Sequence, residues 1–393
     1  MGVAGKLNIL VEFIFTQKRL LIKTTCLQKA LRSTHEQNGG KMQGIDIFAG
    51  AGGMSIGATA CGVDVRYAIE NEPHAAATFA LNHSGVALYD SDVRKISAAK
   101  HLTGLNRTQP LVLFGGPPCQ GFSTSNQKNR SIDNEKNWLY KEYLRLVSEV
   151  KPDWVIFENV KGLVETEGGF FLDEVLKGFK SRGYKTSHFV LNAADFGVPQ
   201  KRNRLFIIGS LHGHHVNAPT AITKKPVTVY QAFKDLPILE NGHNQDEMEY
   251  SSAARTTYAK SLRGLLKRCG NNLVTDNAPH IVERYSHIPQ GGNWEDIPDR
   301  LMKNYTDKNR CHTGIYRRLK ADEPSVVIGN FRKNMLVHPW ENRGLSVREA
   351  ARLQSFPDWF KFSGSIGFQQ QQVGNAVPPV LAKAVFKSIS GRR

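Results

Sequence analysis

Gly44-Ile45-Asp46-Ile47-Phe48-Ala49-Gly50-Ala51-Gly52-Gly53 is a short, largely apolar run that breaks into a turn of glycines and alanines. The run has the length of a buried strand, the turn cannot prolong it, and the helical pattern over residues 54–60 stops at Gly62. A strand, a glycine turn and a helix in that order open a doubly wound, mostly parallel α/β sheet. Such sheets bind their ligands beyond the carboxyl ends of the strands.

The residues downstream keep the alternation. A strand over 65–69 ends at Glu70, and the alanine-rich stretch 73–82 reads as a helix with Pro73 in its first turn. A short strand over 86–89 leads to Asp92, and strands at 111–114 and 154–157 flank a helix predicted over 135–150. A helix over 170–180 and strands over 186–191 and 205–208 follow. Each strand end carries something polar or flexible: the glycine turn, Glu70, Asp92, Cys119 and Glu158. Glu70 suits a ribose diol, and the turn brings backbone amides near a ligand. A dinucleotide would make the same demands, but Ser55 stands where G-x-G-x-x-G has its third glycine, and no Walker sequence occurs. A nucleoside without a pyrophosphate, such as S-adenosylmethionine, fits better, with Phe48 as an aromatic face for a cation or a purine.

The strand at 111–114 runs into Gly115-Gly116-Pro117-Pro118-Cys119-Gln120-Gly121-Phe122-Ser123. Two prolines fix φ before Cys119 and Gly121 frees it after, so a thiol is expected on a stiff loop at a strand end. A positioned nucleophile and a small buried hydrophobe are both consistent with that cysteine taken alone. Glu158 ends its strand in the same way, and either a general acid or a local cap accounts for it. In Gln200-Lys201-Arg202-Asn203-Arg204, strand alternation puts Arg202 and Arg204 on one face, suited to a phosphate, a base edge or a carboxylate.

The chain has 393 residues, 40% hydrophobic and 22% charged, which suits a large globular domain plus a smaller one. Its formal net charge of +17 favours a polyanionic partner. Cys26, Cys61, Cys119, Cys269 and Cys311 are odd in number and never spaced C-x-x-C, so neither a disulfide framework nor a metal site is indicated. A reducing compartment is expected. No apolar run reaches the roughly 18 residues that a membrane span needs.

Residues 1–41 carry seven basic side chains against two acidic ones and precede the patterned fold. They read as a basic extension, followed by a catalytic and cofactor-binding domain over 42–211. From 212 to 345 the pattern loosens into a smaller, irregular domain. There Arg255, Lys260, Arg263, Lys267 and Arg268 have no acid between them, and a phosphate-facing helix or a solvated one explains them equally. Residues 346–393 return to the first domain, starting with a capping box at Ser346 and Glu349.

Taken together, the motifs resemble the DNA (cytosine-5) methyltransferases of bacterial type. The similarity spans residues 44–209 and 345–379. It rests on Asp46-Ile-Phe-Ala-Gly-Ala-Gly-Gly53 in frame with Glu70-Asn71-Glu72, Gly116-Pro-Pro-Cys-Gln-Gly-Phe-Ser123, Glu158-Asn159-Val160, Gln200-x-Arg202-x-Arg204, Arg348-Glu-Ala-Ala-Arg352 and Gly374-Asn-Ala-Val-Pro-Pro379, in that family's order. The resemblance implies S-adenosylmethionine as cofactor, lined by Phe48, Gly50, Gly52, Glu70, Asn71, Asp92, Val93, Pro117, Leu139 and Asn375. It implies that Cys119 attacks carbon 6 of a flipped cytosine, with Glu158, Arg202 and Arg204 completing the catalytic set. Gln120, Ser123 and Gln200 are implied to face DNA, joined by Arg255, Arg263, Lys267 and Arg268. Residues 212–345 become a target-recognition domain, with Val327 standing where the family usually has threonine. Further implications are duplex DNA as substrate, no metal, a monomer, a companion restriction endonuclease and a bacterial cytoplasmic setting. An RNA cytosine-5 methyltransferase and a catalytically silent DNA-binding protein on the same fold are the alternatives.

Overall fold

The computed structural model describes residues 42–118, 138–165, 169–222, 225–303, 314–329, 331 and 336–391. Cys119, Gln120 and Ser123 lie outside the described residues, as does the extension 1–41.

The run around Asp46 becomes β1 (Gln43–Ile47), buried along its whole length. It pairs in parallel with β2 (Asp64–Glu70) on one side and with β4 (Leu111–Gly115) on the other. β3 (Ala87–Asp90) continues the sheet beyond β2, and β5 (Trp154–Val160) continues it beyond β4. The last two strands, β6 (Lys185–Asn192) and β7 (Asn203–Ser210), give the order β3-β2-β1-β4-β5-β7-β6. β7 is antiparallel to both β5 and β6. The reason is local: only ten residues, 193–202, separate β6 from β7, fewer than the roughly dozen or more that a parallel crossover needs. The chain winds one way from β1 to β3 and the other way from β4 to β5, so the switch point lies between β1 and β4.

α1 (Gly53–Thr59) and α2 (Pro73–Asn82) follow β1 and β2, and the Glu72 carboxylate caps α2. α3 (Leu139–Val150) precedes β5, and α4 (Phe170–Lys180) precedes β6. The segment after β7 is not featureless. It holds α5 (Val229–Phe233), α6 (Thr257–Arg263) and α7 (Pro279–Ser286), each too short to announce itself by periodicity. α8 (Val347–Leu353), α9 (Ile366–Asn375) and α10 (Pro379–Lys387) complete the chain, and Ser346 and Glu349 form the capping box at the start of α8.

Side-chain alternation explains the layers, because a strand buried on both faces sends successive residues to opposite sides. Ile45, Ile47, Leu113 and Phe157 pack against Tyr143 of α3 and Phe179 of α4. Val112, Phe114, Trp154 and Ile156 pack on the other face with Met54 of α1 and Leu381 and Phe386 of α10. α1 and α10 approach so closely that a Cβ on Gly57 would lie 2.5 Å from that of Ala382. A third cluster joins Phe233 of α5 and Leu262 of α6 to Val347 and Ala351 of α8. The return segment therefore shares a core with the irregular region as well as with the sheet.

Two arginines of α8 fasten that third cluster. Arg352 lies between Asp235 and Asp358, each 2.6 Å away, and Arg348 donates to the carbonyls of Gly270 and Phe360.

Candidate active site

The carboxyl ends of β4 and β5 hold the central constellation. Val160 pairs with Arg204 across β5 and β7, so Glu158, two residues from Val160, shares a face with Arg204 as its diagonal neighbour. The Arg204 Nε lies 3.0 Å from the Glu158 Oε1. Burial raises the Glu158 carboxyl above its ordinary range, while Arg204 and Arg202 pull it back. Burial likewise lowers the Arg204 guanidinium, with Glu158 acting against that shift. A buried carboxyl with a raised affinity for its proton is suited to donate to a ring nitrogen.

This carboxyl touches the Pro-Pro loop. A Cβ on Gly116 would lie 2.4 Å from Glu158 Oε2, so only glycine leaves room for it. The neighbouring Asn159 donates its amide to the Pro117 carbonyl at 3.1 Å. Asn159 stands in the quoted motif, but its pinning role was not legible from spacing. Gly115 is equally constrained, since a Cβ there would fall 1.7 Å from the Ile47 carbonyl oxygen.

Arg202 and Gln200 occupy different places from those expected. Arg202 precedes β7, is 1% exposed, and donates to the carbonyls of Ile328 (2.8 Å), Gly374 (2.8 Å) and Ala376 (3.0 Å). It lies one residue before β7, and its guanidinium is spent on those three carbonyls rather than on a hydrogen bond to Glu158. Gln200 is wholly buried, accepts from the Ile328 amide and donates to the Leu353 carbonyl, so it presents nothing to a DNA surface.

The glycine turn and β2 form the second part of the site. Phe48 takes a positive φ of 60° as the chain leaves β1, as do Gly50 at 56° and Gly52 at 92°. The Glu70 Oε2 accepts from the Gly50 amide at 2.7 Å, and its Oε1 accepts from Asn71 and Glu72 at 2.9 and 2.8 Å. The carboxylate thus ties the turn to β2, and Oε2, which accepts only once, keeps a lone pair for a diol. Phe48, Val93 and Leu139 border one apolar cluster. Asp92 caps the 3-10 turn Val93–Lys95 and is ion-paired with Arg94 at 2.6 Å, which holds its carboxyl below the usual range. Pro117 is buried at the loop, and the Asn375 side chain is exposed at the end of α9. The donors, the half-buried aromatic ring and the open space beside Gly50, where a Cβ would meet nothing, fit a nucleoside cofactor.

Three residues beneath the turn were missed. Asp46 is fully buried, accepts from the Ser55 hydroxyl at 2.6 Å, and leaves its Oδ1 without a partner. Burial pushes its carboxyl up to about 8. An acid inside an apolar strand was the available signal. His83 packs under the turn, its Nε2 2.1 Å from where a Gly52 Cβ would be, and Val377 presses from elsewhere, its carbonyl oxygen 2.3 Å from a Gly53 Cβ. Nothing in spacing marks either contact.

The basic run divides. Arg255 and Lys267 are exposed, whereas Arg263 turns inward to Asp235 at 3.3 Å and stacks over Tyr250. Arg268 donates to the Glu247 carbonyl at 3.0 Å. The expected single helix face is therefore not formed: α6 ends at Arg263, and Arg268 lies in a two-residue strand. Among the described residues there is no group of three metal-ligating side chains, and no helix is long and apolar enough to cross a membrane.

Comparison with known proteins is consistent along the chain. Residues 42–391 match the family model of the C-5 cytosine-specific DNA methylases. The Type II methyltransferase M1.HphI of Haemophilus parahaemolyticus is 36% identical over 88% of this chain and 86% of its own length. The Type II methyltransferase M.XorII of Xanthomonas oryzae pv. oryzae is 35% identical over 87% of this chain and 83% of its own. A crystal structure of a DNA modification methyltransferase encoded within an E. coli prophage superposes with a TM-score of 0.73 at 25% identity, covering 88% of this chain and 98% of that one.

Proposed function

The chain belongs to the C-5 cytosine-specific DNA methylases, and on that premise we propose that it methylates a cytosine swung out of duplex DNA through a covalent adduct on Cys119. The observation that carries this reading is the Glu158–Arg204 pair seated on Gly116, three positions ahead of Cys119 in the loop.

Carbon 5 of cytosine is a poor nucleophile until a thiolate adds at carbon 6. The Cys119 sulfur forms that bond, and Glu158 in its acid form donates a proton to ring nitrogen 3, which takes up the displaced electron pair. Arg204 orients the Glu158 carboxyl and offsets part of the burial-driven rise in its affinity for the proton. The cofactor supplies a sulfonium methyl to carbon 5. A base then removes the carbon 5 proton, the carbon 6–sulfur bond breaks, Cys119 leaves as thiolate, and ring nitrogen 3 returns its proton to Glu158. Extruding the base costs about a few kcal/mol, offset by contacts to base and backbone.

S-adenosylmethionine is the cofactor, held by Glu70 at the ribose, by the amides of the turn at Gly50 and Gly52, and by Phe48, Asn71, Asp92, Val93, Pro117, Leu139 and Asn375 around it. Duplex DNA lies against residues 212–345, with Arg255 and Lys267 as phosphate contacts. The protein works as a monomer in a bacterial cytoplasm, as the modification partner of a restriction endonuclease. Its relatives named as Type II methyltransferases support this setting.

Labelled S-adenosylmethionine incubated with duplex DNA or transfer RNA tests the reading. Label enters duplex DNA alone and is lost in Cys119→Ser. Label in transfer RNA, or undiminished label with the serine variant, overturns it.

A further inference from the structure

Three stretches far apart in sequence meet at one guanidinium. Arg202 donates through Nη1 to the Ile328 carbonyl and through Nη2 to the carbonyls of Gly374 and Ala376. The latter two stretches also touch directly, since a Cβ on Gly374 would lie 2.1 Å from the Gly329 carbonyl oxygen. Gln200 binds the same junction. It accepts from the Ile328 amide at 2.9 Å and donates to Gln354, which in turn donates to the Val373 carbonyl at 2.8 Å.

The junction has an arm toward each ligand. On one side Val377, one residue beyond Ala376, lies against the glycine turn at Gly53. On the other, the Lys201 amide donates to the Ser325 carbonyl and the Ser325 amide donates to the Pro199 carbonyl, and the segment 325–329 so held presents Val327 at 47% exposure. The guanidinium also sits close enough to Glu158 to hold down its affinity for a proton.

A guanidinium offers its donors in one rigid plane, so the carbonyls it holds cannot shift independently. With water excluded, a carbonyl that loses this donor has nothing to replace it. We propose that Arg202 is a positioning residue that couples the cofactor turn to the 325–329 segment, so that cofactor and duplex DNA raise each other's affinity through it. The inference rests on the assignment of the turn at residues 49–53 to the cofactor and of the irregular region to DNA. Linkage makes the effect reciprocal, whichever ligand binds first.

The test is the dissociation constant of S-adenosylhomocysteine, measured calorimetrically with and without a duplex carrying the target cytosine. All proteins are held well below their melting temperatures. The wild-type ratio of the two constants is expected to be at least about fivefold. Arg202→Lys keeps the charge but not the planar fork, and Gly374→Ala forces the junction apart from its other side. Both bring the ratio to within about twofold of unity. Arg318→Lys is the control, since Arg318 is another buried clamp on carbonyls, those of Ile288, Tyr285 and His338, away from the junction. It lowers stability and leaves the ratio unchanged. A wild-type ratio of one, or a ratio retained in both Arg202→Lys and Gly374→Ala, overturns the coupling while cofactor binding itself stands. Absence of S-adenosylhomocysteine binding to the wild type overturns the cofactor assignment first, and the coupling with it.

Discussion

Gly116→Ala adds a single methyl group, and the structure says where it goes. The new Cβ would stand 2.4 Å from Glu158 Oε2, inside the 3.0 Å that real Cβ contacts respect, and 3.4 Å from the Glu158 carbonyl. Glu158 cannot swing away freely, because Arg204 holds its other oxygen at 3.0 Å. Either the carboxyl or the loop must yield by several tenths of an ångström or more. Misplacement of a reacting group on the scale of 1 Å costs about 100-fold in rate. That corresponds to about 2.7 kcal/mol of transition-state free energy. Gly116 has no positive φ to lose, so the fold should give up only about 1 kcal/mol. Steady-state methylation of duplex DNA at saturating cofactor should show kcat down by about two orders of magnitude, with KM for S-adenosylmethionine changed little. The double variant Gly116→Ala with Glu158→Ala should lose little beyond Glu158→Ala alone, because the two act through one carboxyl. A kcat for Gly116→Ala within a few-fold of wild type would refute the role given to that contact.

Arg204→Ala removes the neighbour that opposes the burial-driven rise of the Glu158 carboxyl. Activity that needs the protonated acid is lost as pH rises through its pKa, so the alkaline limb of kcat should move to higher pH while the plateau falls. A limb that stays in place or moves down speaks against Glu158 as proton donor. Asp46 is raised from 3.8 to about 8, so between those values the native state holds a proton that the unfolded chain has released. Its contribution to stability is complete below about pH 4 and is lost as pH rises through about 8. Urea midpoints for Asp46→Asn should therefore fall less steeply than wild type between pH 5 and 8, and parallel curves would contradict the assignment. Gly52→Ala meets both a φ of +92° and the His83 Nε2 at 2.1 Å. Calorimetry should show the loss of S-adenosylhomocysteine binding together with about 1–3 kcal/mol of stability. Wild-type affinity in that variant would mean the turn does not shape the cofactor site.

Local pattern carried the sheet. Strands such as Leu111–Gly115 are buried on both faces and read as continuous apolar runs, and Glu70 marks where β2 ends, whereas β5 runs two residues past Glu158 to Val160. The direction of β7 was not legible, because it depends on the short link over residues 193–202 rather than on the strand's own residues. The same limit governs the site. Glu158 and Arg204 came from their places in the strands. The separate job of Arg202 came from carbonyls more than a hundred residues away. Arg263 looked like part of a basic face until Asp235 and Tyr250 claimed it, and no spacing rule reports partners supplied by distant non-helical segments. Glycines at Gly53, Gly116 and Gly374 enter the sequence reading only as members of a turn, a loop and a motif. In the structure they are close approaches to Val377, Glu158 and Gly329.

The covalent step is the centre of the account, and duplex DNA carrying 5-fluorocytosine at the target position tests it most directly. Fluorine cannot depart as the ring proton does, so after methyl transfer the enzyme should remain bonded to DNA through Cys119. A shifted band should then survive a denaturing gel, require cofactor, and vanish in Cys119→Ser. Continued methylation of unmodified DNA with no such band, or a band that persists in the serine variant, would contradict it.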